Sequence, residues 1–152
     1  MNIIYREMMV SDYDDVKELW DHIEGFAIRS IDDSRKGIER FIGRNPGLCV
    51  VAIDADNDRL VGTILCGHDG RTATFYHVCV HKDYRRHGVG HHMVNWCMEA
   101  LRRDEINQIT LIAYADNTAG NGFWHGIGWN ETGGLNRYDY KLNEENRIRR
   151  KI

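Results

Sequence analysis

Thr74-Phe75-Tyr76-His77-Val78-Cys79-Val80 leads into His81-Lys82-Asp83-Tyr84-Arg85-Arg86-His87-Gly88-Val89-Gly90, and then into His91-His92-Met93-Val94-Asn95-Trp96-Cys97-Met98-Glu99-Ala100-Leu101. The first segment is crowded with β-branched and aromatic residues, which suit a pleated surface, and reads as a strand. A tight basic turn follows, and the last segment reads as a long helix running on to Arg103. Gly88 and Gly90 carry no Cβ, so the backbone there can approach a bound group closely. A helix that starts near Gly90 points free N–H groups and its positive dipole end into the turn. Arg85, Arg86 and His87 add charge beside it. The expectation is an anion site that suits a pyrophosphate.

Two common phosphate-binding patterns do not fit. The dinucleotide fingerprint wants three glycines and an acidic residue about twenty positions on, whereas only Gly88 and Gly90 stand in register here. The Gly-Lys-Ser/Thr of a P-loop is also missing. An ordinary strand-turn-helix, or a nucleotide-binding domain of another kind, stays open on these residues alone.

Working outward, 152 residues suit one domain with a real core. A net charge of −3 argues against strong nonspecific nucleic-acid binding, which needs a basic surface. No apolar run approaches a membrane span and no signal-peptide pattern opens the chain, so the expected setting is soluble and cytoplasmic. Cys49, Cys66, Cys79 and Cys97 lie scattered in apolar stretches without a Cys-x-x-Cys, and read as buried thiols. His91 and His92 are adjacent on a helix and point in different directions, so no metal site is expected.

In chain order, Ile3 to Glu7 reads as a first strand, and Ser11 as the N-cap of a helix with Asp12, Asp14 and Asp15 in its first turn. Val16, Leu19, Trp20 and Ile23 give that helix one buried face. After a looser segment from Glu24 to Ile31, a second helix runs from about Asp32 or Ser34 to Gly43, with Asp32 and Asp33 read as its caps. A β-meander follows: Leu48 to Ile53, Leu60 to Cys66, an Asp69-Gly70 turn, and the Thr74 strand. Beyond the long helix, Ile109 to Tyr114 reads as a fifth strand parallel to the fourth, since a helix has carried the chain back. A short helix is expected around Phe123 to Gly126, then strands at Trp129 to Thr132 and Arg137 to Leu142. The domain is taken as residues 1–142, with 143–152 a polar tail, a surface helix or a frayed end.

Arg85-x-x-Gly88-x-Gly90 directly after Val78-x-Val80 resembles motif A of the GNAT superfamily of N-acetyltransferases. Asn117 with Phe123-Trp124-His125-Gly126-Ile127-Gly128-Trp129 is similar to that family's motif B. The element order agrees over about residues 3 to 142, and the Asp32-Asp33 segment with the Gly62 to Gly70 hairpin resembles the YpeA-like branch. The resemblance implies an α/β fold, a mixed central sheet of about six to seven strands flanked by about four helices, with the fourth and fifth strands splayed. It implies acetyl-CoA as cosubstrate, no metal, and a primary amine of a small molecule or peptide as acceptor. Neither nucleic acid nor membrane is implied as a partner, and a homodimer, common in the family, is allowed.

By the same resemblance, Val78, Cys79 and Val80 bind pantetheine and the acetyl carbonyl. Arg85, Arg86, His87, Gly88, Val89, Gly90 and His91 hold the pyrophosphate, while Asn117 and Trp124 meet the coenzyme arm. Proton handling is less conventional. An aliphatic amine with a pKa near ~10 must lose a proton before it attacks. Where the family usually has a tyrosine acid this chain has Trp124, whose indole is no proton donor at neutral pH. The glutamate base of the ribosomal-protein alanine acetyltransferases falls at Ile112. Tyr76 and Tyr114 remain as catalytic candidates, because alternation places Tyr76 on the face of Val78 and Tyr114 on that of Ile112. The same count turns His77 to the opposite face, as a packed core or surface histidine. Trp20, Asp21, Glu24, Arg29, Asp32, Asp33, Arg137 and Tyr138 are the candidates for acceptor recognition. The alternative from another class is an acyl-CoA-binding or sensing module without catalysis.

Overall fold

In the computed structural model, which describes residues 1–150, the chain runs β1 (Ile3–Glu7), α1 (Tyr13–Asp21), β2 (Ala27–Arg29), α2 (Arg35–Arg44), β3 (Val50–Asp54), β4 (Arg59–His68), β5 (Ala73–Val80), α3 (Val89–Arg103), β6 (Ile109–Thr110), α4 (Thr118–Gly126) and β7 (Ile148–Arg150). Five strands form a mixed sheet in the order β1-β3-β4-β5-β6, antiparallel except for β5 against β6. The parallel pair follows from α3, which returns the chain to the starting end of the sheet. A second sheet pairs β2 with β7.

Each face of the main sheet has its own core. Val50, Ala52, Val61, Ile64 and Phe75 pack with Met93, Val94, Cys97 and Leu101 of α3. Val51, Leu65 and Cys79 pack with Val16, Leu19 and Trp20 of α1 and Ile38 of α2. Strand alternation and the helical spacing of those residues make this two-sided burial possible. All four cysteines are free and buried, and burial pushes the Cys49 thiol up to about 12.

Several local expectations are corrected. Ser11 sits within a 3-10 turn (Val10–Asp12), and it is the Asp12 carboxylate that accepts from the Met9 N–H at 2.8 Å and pairs with Arg6. Ser34 caps α2 by accepting from the Gly37 N–H, so Asp32 and Asp33 do not. The fifth strand ends at Thr110 instead of Tyr114, and the two strands expected within 129–142 do not form. Tyr138, Tyr140 and Leu142 alternate with polar residues as a strand would, but a strand needs a partner edge, and here all three are exposed. Part of the tail read as a helix or frayed end is instead β7, paired with β2, and just before it the Asn146 carboxamide oxygen accepts from the Ile31 and Asp32 N–H groups. Residues 151–152 of that tail lie outside the described residues.

Candidate active site

The site begins with an irregularity in β5. Thr63 pairs with Cys79 and Leu65 with Tyr76, so His77 and Val78 together oppose Ile64. That is a β-bulge, and His77 takes the positive φ of 50° that absorbs the extra residue. The bulge overturns the alternation count. Tyr76 now packs edge-on against Phe41 of α2, and His77 lies on the same side, against Trp20 and Phe26. Val78 packs on the opposite core, with α3. Tyr76 therefore does not share a face with Val78.

Beyond the bulge the sheet opens. Among the described residues only Ala73 and Thr74 pair with β6, at Ile109 and Thr110, so the second half of β5 has β4 on one side and none of their strands on the other. A cleft of about 2220 Å³ occupies this gap. Val78, Cys79 and Val80 line it from β5, and Leu111 to Tyr114 from the other wall.

At the end of β5 the basic turn closes the cleft. The Arg85 guanidinium Nε donates to the Val80 carbonyl at 3.1 Å, which ties the turn to the strand. Arg86 (φ 65°) and Gly88 (φ 77°) both adopt the left-handed conformation, and Gly88 is the N-cap of α3. Among the described residues, none accepts a hydrogen bond from the backbone N–H groups of Arg86 to His91. Exposed donors gathered at a helix start, next to arginine, make an anion cradle. Gly90 is needed for space: a Cβ there would lie 3.1 Å from the Phe123 ring of α4.

Asn117 and Trp124 come to the same cleft. The Asn117 carboxamide oxygen caps α4 by accepting from the Gly120 N–H at 3.0 Å, and its Nδ2 donates to the Gly25 carbonyl. These contacts explain why a glycine-dense segment still forms a helix of nine residues. Trp124 sits in an aromatic group with Phe75, Phe123 and Trp129, so its ring braces α4 against the sheet. Tyr114 also lines the cleft, beneath the Arg150 guanidinium at 3.7 Å from its ring centroid. Arg150 pairs in turn with Asp116.

The facing wall comes from the segment between α1 and α2. Glu24, Phe26, Arg29, Asp32 and Asp33 line it, together with Phe41 and Tyr76. Trp20 lies behind this wall, its indole N–H donating to the Thr63 hydroxyl, while Asp21 pairs with Lys17. Arg137 lines the cleft and pairs with Asp139, whereas Tyr138 points to solvent. Sequence reasoning missed one arrangement: His77 Nε2 and Asp33 Oδ1 are 2.8 Å apart, with Asp33 buried and His77 partly buried. The two are 44 positions apart, and no local pattern signals their meeting.

No group of three or more His, Cys, Asp or Glu among the described residues is placed to hold a metal ion. No helix among them is long and apolar enough to cross a membrane.

Comparison with known proteins agrees with this geometry. Residues 8–129 match the family described as Acetyltransferase (GNAT) family. An acetyltransferase of Sodalis glossinidius (strain morsitans) is 31% identical over 108 residues, 71% of this chain and 73% of that protein. Among solved structures, the PaiA N-acetyltransferase from Thermoplasma acidophilum in complex with coenzyme A superposes with a TM-score of 0.71 at 16% identity, covering 88% of this chain and 94% of the other. A chain of the NatC complex bound to Gag peptide and CoA gives a TM-score of 0.69 at 21% identity, with 84% of each chain covered. At these identities the two structures establish the fold.

Proposed function

The chain belongs to the GNAT acetyltransferase family, and from that premise we propose that it is an N-acetyltransferase moving an acetyl group from acetyl-CoA directly to a primary amine of a small molecule or peptide. The observation that carries this reading is the run of N–H groups from Arg86 to His91, without an acceptor among the described residues, at one end of the cleft between β5 and β6. These amides, with Arg85 and Arg86, suit a pyrophosphate. Asn117 and Trp124 would flank the coenzyme arm where it passes α4.

Val78, Cys79 and Val80 would bind the pantetheine from the strand edge that β6 leaves open. Acetyl-CoA supplies an activated acyl group on a good leaving group. The chain's part is to orient that group and to stabilise the charge that grows on the carbonyl oxygen as the amine attacks. Fixed backbone dipoles at a bulge do this with no reorganisation during reaction. The Tyr76 and Tyr114 hydroxyls, both partly exposed in the cleft, are the candidates to return a proton to the departing sulfur.

Calorimetric titration with acetyl-CoA, followed by thiol release over a panel of alkylamines and short peptides, tests the proposal. Saturable binding with thiol release supports transfer and begins to name the acceptor. Binding without release on any amine would favour a silent acyl-CoA-binding module, a reading that draws on Trp124 standing where the family usually has tyrosine. Absence of binding would remove both.

A further inference from the structure

The transfer reading leaves one proton without a destination. A primary alkylamine arrives as an ammonium ion and must be deprotonated before its nitrogen can attack. His77 is placed for that task by four contacts. Its Nε2 lies 2.8 Å from Asp33 Oδ1. The other carboxylate oxygen of Asp33 accepts from the Arg29 N–H at 2.7 Å, and the Tyr13 hydroxyl donates to the Asp33 backbone carbonyl at 2.7 Å, so both the carboxylate and the backbone that carries it are held. Trp20 and Phe26 hold the imidazole ring at centroid distances of 4.7 and 4.8 Å. The Thr63 hydroxyl donates to the His77 carbonyl and pins the bulge itself.

The remaining ring nitrogen, Nδ1, has no hydrogen-bond partner among the described residues and is not sealed from solvent, and His77 lines the cleft. With Asp33 accepting from Nε2–H, the neutral tautomer carries its lone pair on Nδ1. The residue directly after it is Val78, on the strand edge that β6 leaves open. A carboxylate behind an imidazole both selects this tautomer and stabilises the imidazolium that forms on protonation. The backbone of His77 is left-handed, with φ 50°, a strained conformation for a side-chain-bearing residue, and such strain concentrates at working sites.

We propose that His77, oriented by Asp33, is the general base that removes the proton from the acceptor ammonium group. The inference rests on the acetyltransferase reading and adds to it the side chain that reading lacked. In the step, an N–H bond of the ammonium breaks and its proton moves to Nδ1 as the freed pair forms the C–N bond to the acetyl carbon. The C–S bond then breaks with its electron pair on sulfur. The second nitrogen proton ends on the thiolate, and the proton on His77 passes to solvent before the next turnover. Neither metal nor redox partner is required for this balance. Asp33 is the positioning residue. Of the other ionisable groups nearby, Arg29 and Asp32 pair with each other at 3.5 Å outside the ring, Tyr76 faces Phe41, and burial pushes the Cys79 thiol up to about 11, so it stays neutral.

The test compares the intact protein with His77→Gln and Asp33→Asn. Two-dimensional NMR of the imidazole nitrogens in the free protein reads the tautomer without any acceptor: Nε2–H with bare Nδ1 is expected, and Nδ1–H would overturn the proposal. On an alkylamine that the wild type turns over, His77→Gln should lower kcat about 10²- to 10³-fold with the acetyl-CoA dissociation constant unchanged. It should also remove the acid limb of the pH–rate profile. Asp33→Asn should give a smaller loss and a changed tautomer. An arylamine, already uncharged at neutral pH, should lose much less rate in His77→Gln than the alkylamine does. Equal loss on both amines, or an unchanged acid limb, would show a purely structural histidine. Loss of acetyl-CoA binding by the wild type would sink the acetyltransferase reading instead, and the calorimetry separates that outcome from this one.

Discussion

The two walls of the cleft are built in opposite ways. On the side proposed for the coenzyme, Val78 to His91 are contiguous, and the chemistry would reside in backbone N–H groups and in the glycines that expose them. On the side proposed for the acceptor, Trp20, Phe26, Asp33 and His77 come from α1, the α1–α2 connection and β5, and the chemistry would reside in side chains. Backbone donors recognise any ligand with the right phosphate geometry and depend little on side-chain identity. Side chains gathered from distant elements can be exchanged one by one while the fold persists. One fold can therefore keep its coenzyme while its acceptors vary.

Substitutions that act on only one wall can break this contrast. The largest expected effect is on the coenzyme wall. Gly90→Leu drives a side chain into the Phe123 ring, and Gly88→Val strains a backbone at φ 77°. Each should weaken acetyl-CoA binding by about 100-fold or more, close to 2.8 kcal/mol, as read by calorimetry. Affinity unchanged in both would mean that the turn is not the anion site.

Next comes the acceptor wall. Trp20→Phe removes the indole N–H that donates to the Thr63 hydroxyl at 3.0 Å and loosens the ring over His77. We expect a stability loss of about 1–2 kcal/mol in denaturant, a lower kcat, and an unchanged acetyl-CoA dissociation constant. A matching loss of coenzyme affinity would show that the walls are coupled.

Arg6 lies outside both walls and serves as a stability control. Burial raises the Asp12 carboxyl, but the hydrogen bonds from Arg6 and from the Met9 N–H outweigh it and hold the group below its ordinary value. A depressed carboxylate stabilises the fold above its unfolded pKa of about 3.9, and that contribution fades as pH falls through the lower folded value. Because the Arg6 side chain is nearly half exposed, screening limits Arg6→Ala to a loss of about 1 kcal/mol near neutrality. The difference from wild type should shrink in acid, as followed by urea denaturation across pH. Smallest of all, Leu142→Ser changes a residue 96% exposed and should shift stability by less than about 0.5 kcal/mol. A larger shift would mean that residues 129–142 pack against something in solution.

Much of the molecule was readable from local pattern. The β-meander, the long helix after Gly88 and the parallel return to Ile109 follow from periodicity, glycine placement and the handedness of crossovers. Caps were harder, because Ser11, Asp12, Asp32, Asp33 and Ser34 are all acceptable cap residues and only packing selects among them. The final hairpin was the clearest miss. Residues 137–142 carry a strand's alternation, but alternation states a preference for a face and supplies no partner.

The sequence by itself determined the wall proposed for the coenzyme. Conformational freedom at Gly88, the missing Cβ at Gly90, a helix start and two neighbouring arginines are local properties, present wherever that stretch folds as strand, turn and helix. Only the tertiary structure decided the acceptor wall. One extra residue in β5 shifts the phase of alternation and turns Tyr76 and His77 towards α1 and α2, and His77 meets Asp33 across 44 positions of chain. A bulge depends on how two strands register against each other, and a hydrogen-bonded His–Asp pair on which helices cover the sheet. Both are properties of packing, which no single stretch of sequence contains.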